Sequence, residues 1–290
     1  CKTPPITMEI NEIVICPNCK SSLKFINGKY VCDNCNSTYE IVSDIPVLIS
    51  HQNSVLDIKQ KNLAEYFDSK YAKDGDPWDY ESSAAEKMKY DFVVNLVKEL
   101  NPNANTVLDV ACSFGYLSNK LSSASKEVIG IDVSLHALMK ANEKYKKENI
   151  KFISAGAENI PFKDKLFDVV ILCDGLNGMD LTGIHRVNAV KESLRVLNET
   201  GFTIFTDYLK PNQFESYIDY LKKSDYVIKN VYYLNDRLWY KLKYSLNAFK
   251  DNSILKKFLS SMGVGKTLSK ISSLFGKSGS NHICIVAARK

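Results

Sequence analysis

Four cysteines near the N-terminus stand in two closely spaced pairs. Cys16 and Cys19 form one C-x-x-C pair, Cys32 and Cys35 form the other, and Gly28 lies between the pairs in a predicted turn. Two such pairs on a hairpin can supply the four sulfur ligands of a tetrahedral zinc ion. Because protein atoms fill all four positions, the sequence predicts a structural zinc on which folding of the small module depends. A redox dithiol and an iron centre are the alternatives.

A second group of residues that could bind a ligand lies at the ends of two apolar runs. Asp109 precedes a turn of small residues that ends at Gly115, and Asp132 ends the next apolar run, 23 residues after Asp109. Small residues and glycine let a turn pass close to a ligand, and a carboxylate after the second strand can accept hydrogen bonds from both hydroxyls of a ribose. The pattern indicates a nucleotide-type ligand. The alternative for Asp109 is a cap of the following helix.

The elements that position these acids alternate between strands and helices from residue 105 onward. Seven apolar runs predict strands: Thr106 to Ala111, Glu127 to Val133, Ile150 to Ala155, Phe167 to Cys173, Phe202 to Tyr208, Tyr226 to Leu234 and His282 to Ala288. Amphipathic runs between them predict helices: Tyr116 to Ser123, Leu135 to Lys147, His185 to Leu197 and Asn212 to Lys223. This alternation is typical of an α/β fold with helices on both faces of the sheet. Asp109 then lies at the carboxyl edge, where such sheets bind ligands.

The segment after the second cysteine pair alternates like a strand and then stops at a proline. Together with the cysteines, the run from Tyr39 to Leu48 resembles the Y-x-I-x-x-G-I-P-x-L tail of zinc ribbons that precede several methyltransferases. The small zinc-ribbon activator protein of tRNA and protein methyltransferases has a similar tail. Asp44 stands where that tail usually has glycine. Such ribbons bind a substrate in some relatives and cover a surface in others.

Four motifs in order resemble class I S-adenosylmethionine-dependent methyltransferases. They are the acid, turn and glycine at 109–115, the acid at 132, A-E-x-I-P-F at 157–162 and F-D-V-V at 167–170. The run R-V-L-N-E-T-G at 195–201 is similar to the link before that family's fifth strand. The resemblance covers roughly residues 60 to 235 and the final strand, and it implies a seven-stranded Rossmann-like sheet. A dehydrogenase also carries an acid after its second strand, but the G-x-G-x-x-G spacing is absent here.

The resemblance implies a site for S-adenosylmethionine at the ends of the first four strands. Its residues would be Asp109 for the methionine amino end, Ala111, Cys112 and Gly115 as a backbone wall, Asp132 for the ribose, Val133 with Ala157 or Glu158 for adenine, and Cys173 facing the sulfonium. Asp174 would face the methyl acceptor.

Asp174 and His185 are the candidate catalytic bases, with His136 as a further candidate. Methyl transfer from a sulfonium is an in-line displacement that depends mainly on positioning, and a hydroxyl acceptor usually needs a base. The stretch 173–177 lacks the N/D-P-P-Y tetrad with which base-amino methyltransferases bind a flipped base. This absence disfavours a nucleobase amine as the acceptor.

Aromatic residues are concentrated before the first strand. The run from Tyr66 to Tyr90 resembles the Y-x-x-x-Y, D-P-W-x-Y-x-x-S and E-x-x-K-Y lead-in of nodulation-type N-methyltransferases and related enzymes that act on sugars and other small metabolites. We expect Tyr66, Tyr71 and Trp78 to form a lid that excludes water from the cofactor. A helical cap with packed aromatic residues is the alternative. The motif favours a small molecule or glycoconjugate as the acceptor.

The positive charge of the chain is concentrated near its C-terminus. The 290 residues carry a net charge of +5, whereas residues 235–280 alone hold nine basic and two acidic residues, a net +7. Within 237–275, apolar residues recur at helical spacing on both sides of Gly263-Val264-Gly265, which predicts two short basic amphipathic helices. Three interpretations are open: a cap over the acceptor pocket, a surface for an anionic membrane or lipid-linked glycan, and an RNA contact.

The sequence therefore predicts four parts: a zinc ribbon (1–52), a helical lead-in (53–104), a methyltransferase core (105–236 and 281–290) and a basic helical insert (237–280). The leading hypothesis is S-adenosylmethionine-dependent methylation of a small molecule, such as a sugar, glycoconjugate or secondary metabolite. An RNA methyltransferase and a non-catalytic binding module are the alternatives. The sequence has neither an apolar run of roughly 18 residues nor a signal-peptide pattern, so we expect a cytoplasmic protein, at most peripheral to a membrane.

Overall fold

The N-terminal cysteine pairs lie on a small antiparallel module. In the computed structural model, which describes residues 9–50, 55–176, 184–246 and 252–290, the module consists of α1 (Ile10–Ile13), a sheet of β1 (Lys24–Ile26), β2 (Lys29–Val31) and β3 (Thr38–Tyr39), and a hairpin of β4 (Ile41–Val42) and β5 (Ile45–Pro46). Asn27 and Gly28 join β1 to β2 with φ angles of 50° and 78°. The predicted turn at Gly28 is confirmed, and its left-handed backbone matches the Asn-Gly turns of tight hairpins.

Seven strands form the main sheet. They are β6 (Thr106–Val110), β7 (Glu127–Asp132), β8 (Ile150–Ser154), β9 (Phe167–Cys173), β10 (Leu197–Tyr208), β11 (Tyr226–Tyr233) and β12 (His282–Arg289), in the spatial order β8-β7-β6-β9-β10-β12-β11. Strands β6 to β10 are parallel, and β12 runs antiparallel to both β10 and β11. The predicted α/β fold is confirmed. The strand order reverses between β6 and β9, where such sheets open a ligand crevice.

Alternate side chains of the central strands enter two separate cores. In β6, Val107 packs on one face of the sheet, whereas Leu108 and Val110 pack on the other. In β9, Val169 joins the first core and Val170 the second. This burial of both faces explains why these strands are continuous apolar runs. It also fixes the register that brings the strand ends together.

Helices cover both faces. They are α2 (Val55–Asp74) and α3 (Ala84–Leu100) before the sheet, then α4 (Tyr116–Leu121), α5 (Leu135–Lys144), α6 (Ile184–Val196) and α7 (Phe214–Lys223) between its strands. Serine caps set where two of them begin, since Ser83 Oγ accepts from Glu86 N and Ser134 Oγ accepts from Ala137 N at 3.1 Å. Strand β10 begins five residues earlier than predicted, with an irregular register between Leu197 and Phe202.

The cysteine module packs against the β8 edge of the main sheet. Leu48 N donates to Ser154 O at 2.7 Å, and Val47 pairs with Ser154 in a parallel bridge. Ile15 N donates to Pro161 O at 2.9 Å in the loop after β8. The module therefore covers an edge whose backbone groups would otherwise be open to another strand.

In its described residues, 237–246 and 252–280, the basic insert contains one more helix than predicted. Its helices are α8 (Arg237–Ser245), α9 (Ser253–Leu259) and α10 (Met262–Ser273). The predicted break at 263–265 is wrong, because Gly263 and Gly265 lie inside α10 and the chain turns at Ser260 and Ser261 instead. A Cβ atom at Gly265 would lie 2.9 Å from the Cβ of Ala84, so this glycine permits close packing of α10 on α3.

Candidate active site

A cavity of about 400 Å³ opens at the carboxyl ends of the strands, beside the reversal of strand order. Its wall contains most of the predicted cofactor and acceptor residues, namely Asp109, Ala111, Cys112, Asp132, Val133, Ala157, Glu158, Cys173 and Asp174. Its volume lies within the range of small-molecule sites in proteins. The cavity thus joins the strand ends that the sequence predicted to act together.

Two buried carboxylates face the cavity from adjacent strands. Asp109 accepts a hydrogen bond from Ser118 Oγ at 2.6 Å, and Asp132 accepts from the backbone N–H groups of Ser113 and Ser134, each at 2.8 Å. Burial raises the pKa of Asp109 to about 7 and that of Asp132 to about 6. Both carboxylates therefore gain from a ligand that brings hydrogen-bond donors or positive charge.

The turn between β6 and α4 is bent by three left-handed residues. Ala111, Ser113 and Gly115 have φ angles of 60°, 51° and 69°. A Cβ atom at Gly115 would lie 2.8 Å from the Phe152 ring, so only glycine fits there. Ala111 and Ser113 adopt the same region at a cost of about 1 to 3 kcal/mol each. In return, the turn aims the Ser113 N–H at Asp132.

Glu158, in the loop after β8, lines the cavity, and His185 lies behind it. The His185 Nδ1 atom is 3.4 Å from Glu158 Oε1, and both side chains are buried. His185 does not line the cavity. The structure therefore places His185, predicted as a catalytic base, outside the cavity wall, where α6 packs against the loop after β8. His136 also lies outside the cavity wall.

Aromatic side chains of the lead-in close one side of the cavity. Tyr71 and Trp78, two of the three residues predicted to form a lid, line the cavity, and the Tyr71 hydroxyl accepts from Ser113 Oγ at 3.1 Å. Tyr66 does not line the cavity and is 57% exposed. The correction follows from helical spacing, because Phe67 and Tyr71 are four residues apart on α2 and share its inner face. Phe67 takes the predicted place of Tyr66.

A line of alternating charges, here called the ion chain, borders the acceptor side. Its members in order are Asp236, His282, Asp174, Lys89 and Glu86. His282 Nδ1 contacts Asp236, its Nε2 lies 3.3 Å from Asp174 Oδ1, and the Lys89 ammonium contacts Asp174 and lies 2.6 Å from Glu86 Oε2. Glu86, Asp174 and His282 face the cavity, and Lys89 lies behind them.

Within the ion chain, the charge of each neighbour shifts the pKa of the next group. Burial raises the pKa of Asp174, but Lys89 and His282 outweigh burial and hold it well below its usual range. Burial and the Lys89 ammonium, whose Nζ lies 3.5 Å from His282 Nε2, lower the pKa of His282, but Asp174 and Asp236 outweigh both and raise it to about 10. His282 is therefore an imidazolium at neutral pH, and Asp174 is a carboxylate. The same three cavity-facing groups have the spacing of a metal site, but the Lys89 ammonium already supplies their positive charge.

Tyrosine rings complete the acceptor side of the cavity, here called the acceptor chamber. Tyr208 and Tyr240 pack edge to face at 5.1 Å, and each lies within 5.5 Å of the His282 ring. The Tyr240 hydroxyl donates to Glu86 at 2.5 Å. Cys173 also lines this side, but burial raises the pKa of its thiol and Thr206 Oγ1 donates to its sulfur at 3.0 Å. Cys173 is therefore a packed thiol.

Several residues of the acceptor chamber were assigned no such role from the sequence. Glu86 and Lys89 were noted only within the aromatic lead-in, and Asp236, Tyr240 and His282 were not singled out. The sequence does mark Glu86 and Lys89, because they are charged residues three apart on the otherwise apolar face of α3. His282 opens a strand far away in the chain, and only the β10–β12 pairing brings it beside the end of β9.

The four cysteine sulfurs of the N-terminal module converge. All four Sγ atoms lie within 4.8 Å of one another, with Cys16 and Cys35 3.5 Å apart and Cys19 and Cys32 3.4 Å apart. These distances exceed a disulfide bond of about 2.05 Å and approach the roughly 3.8 Å between thiolates on a tetrahedral zinc. The two pairs also share a backbone pattern, since Cys16 N donates to Ser21 O and Cys32 N to Ser37 O. The residues fit a zinc ion.

Comparison with known proteins bears on the main sheet. Residues 107–201 match a family model described as a methyltransferase domain. The ubiquinone/menaquinone biosynthesis C-methyltransferase UbiE of Pseudomonas paraeruginosa (strain DSM 24068 / PA7) is 30% identical over 169 residues, which cover 56% of this chain and 64% of that protein. This chain thus spans less than two thirds of the relative's length. Residues 107–201 are thus similar to a methyltransferase domain, and the strand order of the main sheet agrees with the α/β fold predicted from the sequence.

Two solved structures have a similar fold. The 4+2 cyclase SpnF has a TM-score of 0.57 at 16% identity, over 80% of this chain and 97% of that chain. The N-methyltransferase NodS from Bradyrhizobium japonicum WM9, in complex with S-adenosyl-L-homocysteine, has a TM-score of 0.54 at 13% identity, over 80% and 98%. Such identities show the fold alone, and since one of the two proteins is a cyclase, the reaction must be argued from the site.

We expect Asp109→Asn to stabilise the ligand-free protein at alkaline pH. A carboxyl group whose folded pKa is raised from 3.8 to about 7 binds protons more readily when folded, so stability falls as pH rises through that window. Each unit of pKa corresponds to about 1.4 kcal/mol, so the variant should gain up to a few kcal/mol at about pH 8 and little at about pH 4.5. Urea unfolding at both pH values measures the gain.

The exposed Asp219→Asn on α7 is the matched control and should change little at either pH. A less stable Asp109→Asn variant at about pH 8 would contradict the assigned cost of burying this carboxylate.

Proposed function

We propose that the protein is an S-adenosylmethionine-dependent methyltransferase acting on a small molecule with an amine or hydroxyl acceptor, such as a sugar or glycoconjugate. The observation that carries the proposal is a single cavity that joins the Asp109 and Asp132 carboxylates to the acceptor chamber. One half suits a nucleoside with an amino acid tail, and the other suits a compact polar molecule. The matched methyltransferase domain supports the first half.

In the cofactor half, the residues would hold three parts of the ligand. Asp132 would accept from the ribose hydroxyls, Asp109 would bind the methionine ammonium, and Val133, Ala157 and Glu158, which line the cavity, would hold the adenine. When bound, the cofactor supplies an electrophilic methyl group on sulfur. The Tyr71 and Trp78 rings exclude water from this region, which strengthens every polar contact within it.

We expect the protein to bind S-adenosylmethionine and Asp132→Ala to weaken binding at least about tenfold, equal to about 1.4 kcal/mol. The physical reason is the loss of the buried acceptor for both ribose hydroxyls. Isothermal titration calorimetry measures the affinity. Asp219→Ala on the exposed face of α7 is the control and should bind like wild type. Equal affinity of Asp132→Ala and wild type would remove the cofactor assignment.

The acceptor chamber has the surface chemistry of a site for a polar ring. Tyr208 and Tyr240 offer ring faces for C–H groups, while Asp174 and Glu86 offer oxygens that accept from O–H or N–H groups. Helix α8 bounds the chamber on one side, and its Lys243 is 2.9 Å from Asp79 in the lead-in. A chamber narrowed in this way favours a small acceptor over a base within a folded RNA.

The ion chain orients the acceptor more than it deprotonates it. Asp174 remains ionised because Lys89 and His282 flank it, so its free lone pairs can accept hydrogen bonds from the acceptor and aim the nucleophilic lone pair at the methyl group. An amine acceptor bound in its neutral form needs no further base. For a hydroxyl acceptor, Asp174 is the proton acceptor nearest the end of β9.

A quinol or related phenol is the second candidate acceptor. The named curated relative is a ubiquinone/menaquinone biosynthesis C-methyltransferase, and the tyrosine rings of the acceptor chamber also suit an aromatic ring. In this case Asp174 and His282 would bind the ring hydroxyl whose ionisation activates the neighbouring carbon.

We expect Asp174→Asn to lower kcat about 100-fold while changing the cofactor Kd less than about threefold, because it removes an orienting charge without emptying the cofactor half. Transfer of a radiolabelled methyl group to nucleotide amino sugars, demethylated quinols and an RNA fragment measures both rate and acceptor class. Asp219→Asn is again the control.

Transfer to the quinols alone would select the second candidate, and transfer to RNA alone would refute a small-molecule acceptor. A wild-type kcat in Asp174→Asn would refute the role given to the carboxylate.

We also propose that the cysteine module binds structural zinc and braces the adenine side of the cofactor half. The module holds the loop after β8 at both ends, through Leu48 at Ser154 and through Ile15 at Pro161. Ala157 and Glu158 lie between these two anchors. Loss of the metal should therefore weaken cofactor binding by releasing this loop.

We expect about one zinc per chain, and Cys32→Ser should lose the zinc, lower Tm and weaken S-adenosylmethionine binding, because three sulfur ligands no longer close the site. Mass spectrometry of metal content, thermal unfolding and calorimetry measure the three effects. Cys284→Ala in the buried core of β12 is the control, since it costs packing but should keep the zinc. A zinc-free protein with wild-type Tm and cofactor affinity would exclude this role.

A further inference from the structure

We infer that the outward faces of α9 and α10, here called the outer insert face, dock on an anionic membrane surface beside the opening of the acceptor chamber. The proposal goes beyond methyl transfer and does not depend on it. Among the described residues, no helix has the length and apolar character needed to cross a bilayer. The contact proposed is therefore one in which the helices lie in the interface.

The inner side of the insert is already occupied. Trp239 and Tyr240 of α8 are buried, and α10 packs on α8 and α3 through Gly265, Leu268 and Ser272. The opposite side of α10 carries Lys266 and Lys270 and continues to Leu274 at its C-cap. These residues are four apart, so each lies only about 40° around the helix from the one before it. The apolar residues on that side are thus not required to hold the insert in place.

Large apolar side chains stand on this free side. Ile254 is 79% exposed and Leu274 is 81% exposed, and Phe258, Ile271 and Phe275 are each more than 40% exposed. Ile254 and Phe258 are four residues apart, so they share one face of α9. Single exposed apolar residues are ordinary, but five of them within 22 residues of the chain are a local concentration that indicates a binding surface.

The charge of the outer insert face selects an anionic partner. Residues 252–280 carry five lysines and no acidic residue. All five are exposed, and within the described parts of the chain only Lys277 forms an ion pair, with Glu215 at 3.1 Å. Lysines beside exposed isoleucine, leucine and phenylalanine match a surface of anionic headgroups over acyl chains. RNA would pair with the lysines but leave the apolar side chains in water.

The insert connects this face to the acceptor chamber. Helix α8 lines the chamber with Tyr240, Lys243 and Tyr244, and α10 packs against α8. Docking would therefore bring the chamber close to the lipid and water boundary, where a lipid-linked acceptor presents its polar headgroup.

Vesicle flotation of the full-length protein tests the proposal. We expect binding to phosphatidylcholine vesicles that contain about 30% phosphatidylglycerol, weak or no binding to pure phosphatidylcholine, and loss of binding at about 0.5 M salt, where charges are screened within a few ångströms. A parallel binding assay with an RNA fragment tests RNA as the competing partner.

Two pairs of substitutions separate the contributions. Ile254→Ser with Leu274→Ser should weaken vesicle binding at least about tenfold, and Lys256→Gln with Lys257→Gln at least about fivefold. The matched controls are Leu100→Ser with Met139→Ser, two exposed apolar residues elsewhere, and Lys222→Gln with Lys223→Gln on α7. Controls should bind like wild type, and unchanged circular dichroism confirms folding.

Three outcomes would overturn the proposal: no binding to anionic vesicles at low salt, equal binding by the Ile254→Ser/Leu274→Ser variant and wild type, or binding to RNA alone. Because the readout is lipid binding, each outcome is independent of whether methyl transfer occurs.

Discussion

The cofactor half of the site depends on two carboxylates that are buried without a neighbouring cation among the described residues. Asp109 has the Ser118 hydroxyl, and Asp132 has backbone N–H groups of the turn and of α5. Burial raises the pKa of both groups. The strained turn at 111–115 is linked to this constraint, because its left-handed residues deliver one of the few donors that Asp132 receives. The buried charges and the strained backbone therefore lie at the same strand ends.

In the acceptor half, the buried carboxylates are neutralised by cations of the protein itself. There each carboxylate contacts a cation: Asp236 contacts His282, Asp174 contacts His282 and Lys89, and Glu86 contacts Lys89. Its charge pattern is therefore set before an acceptor arrives, whereas Asp109 and Asp132 still need a partner. A ligand with an ammonium group and a ribose would stabilise the cofactor half most, which is the physical reason for preferring S-adenosylmethionine there.

The sequence predicted those parts of the site that follow one another closely along the chain. The acids at the ends of β6 and β7 are each adjacent to an apolar run, so periodicity was sufficient to place them. The ion chain could not be predicted in this way, since Glu86 and Lys89 lie on α3 and His282 lies on the last strand. The local sequence pattern also gave a wrong prediction where tertiary packing determines the structure. Gly265 suggests a helix break, but it lies within α10 and allows close contact with Ala84.

The two additions to the sheet lie at its opposite edges, and each supports the nearer half of the site. The cysteine module pairs with β8, the edge strand next to the loop that carries Ala157 and Glu158. The insert interrupts the chain between β11 and β12 and packs α10 on α3, the helix that carries Glu86 and Lys89. Because Lys89 is fully enclosed and must stay between two carboxylates, the position of α3 sets the geometry of the acceptor chamber. The insert is therefore part of the acceptor chamber as well as a surface of the protein.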